Sequence, residues 1–227
     1  MSSNDASGKK RILLVAGVLG ALALVYFGVT QVYQQQSTSH YKFLSHSQSE
    51  KFVRDYSVRM GAENAPVYLI EFLDPACESC RAFYPVVKDI MKEFEGKVQL
   101  VVRYAAFHKP SAFAITVLEA AREQDLYWEL LGLLFEKQPE WASHHHPRAE
   151  LIWDYARDVG LDMDRLKQDM KDAKIQKVLQ QDNEDLTFLK VKMTPTFFAN
   201  GTPLRDFSIQ GLKSLITSEL EAAEVTQ

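Results

Sequence analysis

Two apolar runs constrain this chain more than anything else in it: VYLIEFL at Val67–Leu73 and VQLVVRY at Val98–Tyr104. Each is rich in β-branched and aromatic residues and too short for a helix, the pattern of a strand covered on both faces. Between them, from residue 77 to 94, Phe83, Val86, Val87, Ile90, Met91 and Phe94 recur at helical spacing, with Pro85 inside predicting a kink. Strand, helix, strand at this spacing predicts a right-handed parallel βαβ unit.

After the second strand the pattern turns helical from about residue 111 to 190, far more chain than a crossover needs, which predicts an inserted helical subdomain. Strand signals return at Thr196–Ala199. Asn200-Gly201 then predicts a tight hairpin, since both residues tolerate positive φ, and an amphipathic helix from about 209 to 223 closes the chain. The fold class is therefore α/β with a helical insertion.

The N-terminal end reads differently. Lys9, Lys10 and Arg11 precede residues 12–30, which carry no charge. At about 1.5 Å per residue such a helix matches a hydrocarbon layer of about 30 Å. The basic cluster predicts a cytoplasmic N-terminus (1–11), a transmembrane signal-anchor (12–33), and everything beyond on the outer face of the inner, cytoplasmic membrane, in the periplasm. A cleaved leader, giving a soluble periplasmic protein, is the rival reading; Tyr26, Phe27 and Tyr33 occupy positions where its cleavage site wants small residues. Residues 34–64 read as a linker, polar to about 47, followed by a short helix over 49–60. The globular domain is expected over 65–227. A net charge of −4, with no Lys/Arg run beyond the N-terminus, excludes a phosphate-backbone footprint, so nucleic acid is not an expected partner.

The two cysteines of the chain fall in DPACESC, between the first strand and its helix. A helix N-terminus favours an anion, so Cys77 is expected to ionise readily and act as a nucleophile, with Cys80 one turn further in to resolve a mixed disulfide. A bridge closing so small a loop is a poor structural staple, and zinc wants more ligands than two thiolates supply. Two thiolates suit Cu(I), so a Cu(I)-binding or metal-delivery protein stands as the alternative. The run His144-His145-His146 offers metal ligands, but between helices in a Ser/Pro-flanked turn it reads as a solvated loop, and Trp128, Trp141 and Trp153 read as core or subdomain interface.

EFLDPACESCRAFYP, VVRYAAFHKPSAF, the insert segments ELLGLLFEKQ and ARDVGLD, and MTPTFFANGTPL, in that order over about 65–223, resemble the DsbA-like branch of the thioredoxin superfamily. The resemblance implies a thioredoxin fold with a helical insertion and a protein thiol-disulfide oxidoreductase. It would use no cofactor beyond a redox-active Cys77–Cys80 disulfide. Its partners would be unfolded or cysteine-containing exported proteins and a membrane redox partner protein. It implies that Pro195, after Thr194, is a cis-proline whose loop binds substrate, and that Glu71 is a buried proton acceptor for Cys80. His108-Lys109-Pro110 matches a loop leading into the insert, where capping or packing is expected. Two departures stand out. Strongly oxidising members resemble one another in carrying Pro-His between the cysteines, where this chain has Glu78-Ser79. An acid beside Cys77, seconded by Asp74 and partly offset by Arg81, is expected to raise the thiolate pKa and make a weaker oxidant, with reductase or isomerase directions open. Met193 replaces a smaller residue before Thr-Pro, which alters the expected groove.

Overall fold

The computed structural model describes residues 3–226, with side chains described from Leu13 to Val225. Met1, Ser2 and Gln227 lie outside the described residues, so the expected basic N-terminus at Lys9–Arg11 is described as backbone only.

Helix α1 runs unbroken from Ser3 to Ser47. Its window of mean hydropathy 2.3 is wholly exposed, making it long and apolar enough, by length and composition, to cross a membrane. The polar stretch expected to be a linker is instead the last turns of this helix, and it docks on the globular domain. Leu44 is buried. The Tyr41 hydroxyl donates to the Leu189 carbonyl at 3.0 Å, Lys42 pairs with Glu219 at 3.0 Å, and Ser45 donates to the Asn200 carbonyl at 3.3 Å. Two apolar anchors three residues apart in a polar run are too few to register as periodicity, which hid the docking from the sequence.

The short helix expected over 49–60 does not form. A 3-10 turn, Ser49–Lys51, leads into strand β1, Val58–Gly61, which pairs antiparallel with residues 99–102. Phe52, Val53 and Tyr56 fit a helical face equally well, but a partner some forty residues away decides the outcome. The globular domain thus begins before residue 65. The remaining elements are β2 (Val67–Leu73), α2 (Glu78–Glu93, continuous through Pro85), β3 (Val98–Tyr104), α3 (Ser111–Arg122), α4 (Tyr127–Glu136), α5 (Gln138–Trp141), α6 (Ile152–Asp158), α7 (Met163–Asp169), α8 (Ala173–Phe188), β4 (Thr196–Ala199), β5 (Thr202–Pro203) and α9 (Ile209–Thr226).

The sheet order is β1-β3-β2-β4-β5, with β2 and β3 parallel and the other pairs antiparallel. This is the thioredoxin fold with a helical insertion that the sequence predicts. Asn200 and Gly201 both take positive φ, 45° and 84°, in the two-residue turn that closes Ala199 on Thr202. Side chains alternate across the sheet. Val67, Leu69 and Leu73 of β2, with Leu100, Val102 and Tyr104 of β3, share the larger core with α2, the insert and α9. Ile70, Phe72 and Val101 face the other layer, with Phe198, Leu186 and Leu189, and with Leu44 and Phe52 from the N-terminal segment. Trp141 is fully buried and donates its indole N–H to the Leu134 carbonyl, and Trp153 packs edge-on against Phe113, as expected for insert core.

Arg103 points into the second layer with no solvent exposure. Its guanidinium donates to Asp182 at 2.6 Å and Asp185 at 2.7 Å, both from α8. Asp185 also accepts from Arg54 at 2.8 Å and lies 3.2 Å from Lys51, and Asp182 accepts from the Tyr56 hydroxyl at 2.6 Å. This network fastens the segment after α1 to the sheet and the insert at once.

Candidate active site

β2 ends at Leu73, and the next seven residues build the site. Asp74 is fully buried and acts as its hub. One carboxylate oxygen accepts from the Ala76 amide at 2.8 Å and from the Ser111 hydroxyl. The other accepts from the Phe107 and His108 amides at 2.9 and 3.1 Å, and lies 2.7 Å from His108 Nδ1. Gln138 of α5, also buried, donates to the carbonyls of Pro75 and Cys77. Neither Ser111 nor Gln138 stood out in the sequence, because their only signal is spatial: a short polar side chain facing an otherwise unpaired loop.

Cys77 is the N-cap residue of α2. Its sulfur lies 3.2 Å from the carbonyl oxygen of Thr194, across a cis Thr194–Pro195 bond, so the structure brings together the thiol and the loop that the resemblance paired. The Cys77 thiol is pulled down to about 5. The Cys80 thiol hydrogen bond contributes most; burial opposes it, and Thr194 and the amides of Cys80 and Ser79 add to the lowering. Ser79 acts through its backbone. Cys80 has no solvent exposure, and the Asp74 amide approaches its sulfur at 3.5 Å. Burial, then the Cys77 hydrogen bond and the charge of Glu71, hold the Cys80 thiol far above its ordinary value. Both cysteines are free thiols here.

Glu71 shares the core face of β2 with Leu69 and Leu73, by strand alternation, and is 3% exposed. One carboxyl oxygen has no hydrogen-bond partner. Burial, and secondarily the charge of Cys77, push this carboxyl up to about 8, so it holds a proton at neutral pH. Sign follows directly. Between the ordinary carboxylate range and pH 8 the folded chain binds a proton that the unfolded chain releases, so stability falls as pH rises through that window. Glu71→Gln is expected to remove that slope, leaving the variant more stable than the parent by a few kcal/mol above pH 8. Urea denaturation at pH 5 and pH 9 checks it, and parallel curves for both proteins would refute it.

Glu78 departs from the expectation drawn for it. Its carboxylate is held below its ordinary range, first by its own amide at the helix start and then by His144, whose Nε2 lies 2.8 Å away. His108, lying between Asp74 and this pair, is raised overall: burial opposes, but the Asp74 hydrogen bond and the charges of Asp74, Cys77 and Glu78 outweigh it. The negative charges flanking Cys77 therefore each have an imidazole partner. His144, expected to be loop, and His108, expected to pack, both stand at the rim of the site. Met193 and Phe107, 63% and 45% exposed, lie in the segments that carry Thr194 and His108 and present apolar surface to solvent.

Comparison with known proteins agrees with this geometry. A family model described as thioredoxin matches residues 54–218. The chain is 29% identical over 173 residues to a Na(+)/H(+) antiporter NhaA 3 of Salinispora tropica, a match covering 73% of this chain and 25% of that protein; it spans about a quarter of the length of such antiporter relatives. It is 26% identical to a probable disulfide bond formation protein D of Bacillus anthracis, over 76% of this chain and 82% of that one. The crystal structure of oxidised BdbD from Bacillus subtilis superposes with a TM-score of 0.66 at 26% identity, covering 73% of this chain and 94% of its own. With the family match spanning the sheet, both thiols and the cis-proline loop, the chain belongs to the thioredoxin family, in its branch of DsbA-like thiol-disulfide oxidoreductases.

Proposed function

We propose that this is a membrane-tethered, extracytoplasmic thiol-disulfide oxidoreductase that exchanges disulfides with cysteine-containing exported proteins through Cys77 and Cys80. The observation that carries it is the Cys77 sulfur at a helix N-terminus, 3.2 Å from the Thr194 carbonyl, with Cys80 buried behind it. In the oxidising direction a substrate thiolate attacks Cys77 of the Cys77–Cys80 disulfide, and the S–S bond breaks. Cys80 leaves as a buried thiolate and takes the proton of Glu71. A second substrate thiolate then attacks the mixed disulfide, which releases oxidised substrate and the Cys77 thiolate, so two electrons pass from substrate to the cysteine pair. The reducing direction reverses each step: Glu71 first releases its own proton to solvent, and its carboxylate then accepts that of Cys80. Backbone beside Pro195 aligns an extended substrate segment, and Met193 and Phe107 supply apolar contacts.

Helix α1 supports a single-pass anchor in the inner membrane. Its docked end meets the domain at Asn200, whose side chain accepts from the Tyr68 amide near the start of β2, whereas Cys77 follows the other end of that strand. The thiols therefore face away from the tether, open to periplasmic substrates and to a redox partner protein in the membrane that approaches over the domain.

Redox poise follows from the Cys77 thiolate. A lower thiol pKa stabilises the dithiol and makes the disulfide a stronger oxidant. A value of about 5 falls between the roughly 7 of thioredoxin and the roughly 3.5 of DsbA. The expected potential therefore lies between about −270 mV and about −120 mV, more reducing than the Pro-His enzymes. Equilibration with a glutathione series, read by alkylation of free thiols, measures it. A value at either limit would remove the electrostatic argument, and a pair that never forms a reversible disulfide would remove the function. Because His144 already meets the charge of Glu78, Glu78→Gln is expected to raise the potential by no more than about 30 mV.

A further inference from the structure

We propose that Glu78, His108 and His144 form a three-ligand site for a borderline divalent cation of the Zn2+ class, at the rim of the Cys77 site and independent of the two thiols. One ligand atom from each residue lies within 4.8 Å of the other two. They come from three separate parts of the chain: the first turn of α2, the connection after β3, and the loop following α5. Two imidazoles and a carboxylate are a ligand set that zinc takes when it keeps a fourth position open to water.

The support behind His108 distinguishes this cluster from a chance surface grouping. Its Nδ1 lies 2.7 Å from the buried Asp74 carboxylate, whose oxygens already accept from backbone amides. Nδ1 therefore carries the proton, which leaves Nε2 with its lone pair free. A carboxylate holding the far nitrogen of an imidazole is the arrangement that orients metal-bound histidines and strengthens them as ligands. On the other side, His144 Nε2 and Glu78 Oε1 meet at 2.8 Å and the two imidazole rings have centroids 5.4 Å apart. Zinc bonds of about 2.0–2.2 Å place tetrahedral ligand atoms roughly 3.3 Å from one another. From within 4.8 Å of one another the ligand atoms have to close by at most about 1.5 Å to reach that spacing, and Glu78 and His144 have room to adjust because each is about half exposed, at 54% and 56%. The cation would replace the direct Glu78–His144 contact and release the protons that the ligands carry.

The test uses the full chain in detergent, with Cys77→Ala and Cys80→Ala so that thiolates contribute nothing, titrated with Zn2+ against a chromophoric chelator. One Zn2+ per chain is expected. Affinity should fall at least about tenfold in each of His108→Ala, His144→Ala and Glu78→Gln, and stay unchanged in His145→Ala and His146→Ala. Substitution by Co2+ should give a tetrahedral spectrum without thiolate charge transfer. His144 sits in an exposed loop, so its variant carries the test even where His108→Ala disturbs the Asp74 hub. Three results would overturn the proposal: no stoichiometric binding, equal losses from His145 and His146, which would mark an unstructured histidine run, or binding that appears only when the thiols are present.

Discussion

Cys77→Ser is expected to reduce disulfide exchange to the uncatalysed background while the protein remains folded, and Cys80→Ser to accumulate covalent mixed disulfides with substrate. The asymmetry comes from position. Cys77 caps α2 beside the Thr194 carbonyl, where an incoming sulfur can align, and its thiol is lowered to about 5. Cys80 is fully buried and its thiol is held far above its ordinary value, so it is expected not to open an exchange from solvent but to close one. A serine hydroxyl is neither ionised near neutral pH nor able to form a disulfide, so attack disappears with Cys77 and resolution with Cys80. Non-reducing electrophoresis after reaction with a scrambled disulfide substrate distinguishes the two variants. Covalent complexes formed by Cys77→Ser, or full turnover by Cys80→Ser, would invert the assignment. A rapid thiol-alkylation time course on the parent should modify Cys77 well before Cys80.

Loss of Arg103 is expected to be the most costly single change to stability, about 3–5 kcal/mol, because it strands two buried carboxylates rather than removing one surface pair. Asp182 would keep the Tyr56 hydroxyl and the Tyr104 amide, and Asp185 would keep Arg54 and Lys51, but the guanidinium that spans both would be gone. For a chain of this size Arg103→Met should lower the melting temperature by roughly 10 °C. The dependence on pH has a definite sign. Burial pushes the Asp185 carboxyl up, yet Arg54, Arg103 and Lys51 bring it below its ordinary value. Its contribution is therefore present above the unfolded carboxylate range and is lost as pH falls through the folded one. The parent should lose stability on acidification faster than Arg103→Met. Equal acid sensitivity, or a melting shift within a degree or two, would mean that Arg54 and Lys51 suffice. The same variant should also loosen residues 49–57, read as faster amide exchange there.

Much of the site was legible without coordinates because its signals are local. A strand pattern ending in Asp74-Pro75-Ala76 and thiols at helical spacing announce themselves within a few residues, whereas Thr194-Pro195 was named through the family resemblance. Glu71 was singled out by the same resemblance in a run of apolar neighbours, and the structure leaves it buried with an unpaired oxygen. Misread elements share one property, dependence on partners far along the chain. Residues 58–61 are a strand because β3 lies beside them, and residues 37–47 belong to the domain because Leu44 and Tyr41 meet the layer formed by Ile70 and Phe198. Glu78 was read as a charge offset only in part, by Arg81, because its partner His144, sixty-six residues later, looked like loop.

The amino-acid order by itself determined the βαβ unit, the insertion, the apolar span and the placing of two thiols at the start of a helix, since propensity, periodicity and spacing act over a few neighbouring residues. Only the tertiary structure decided how those sulfurs are tuned and how the domain is tied to its helix. Charge compensation around Cys77, the Asp74 hub, the Arg103 network and the docking of α1 all depend on through-space electrostatics and packing, which fall off with distance in the folded molecule and take no account of distance along the chain.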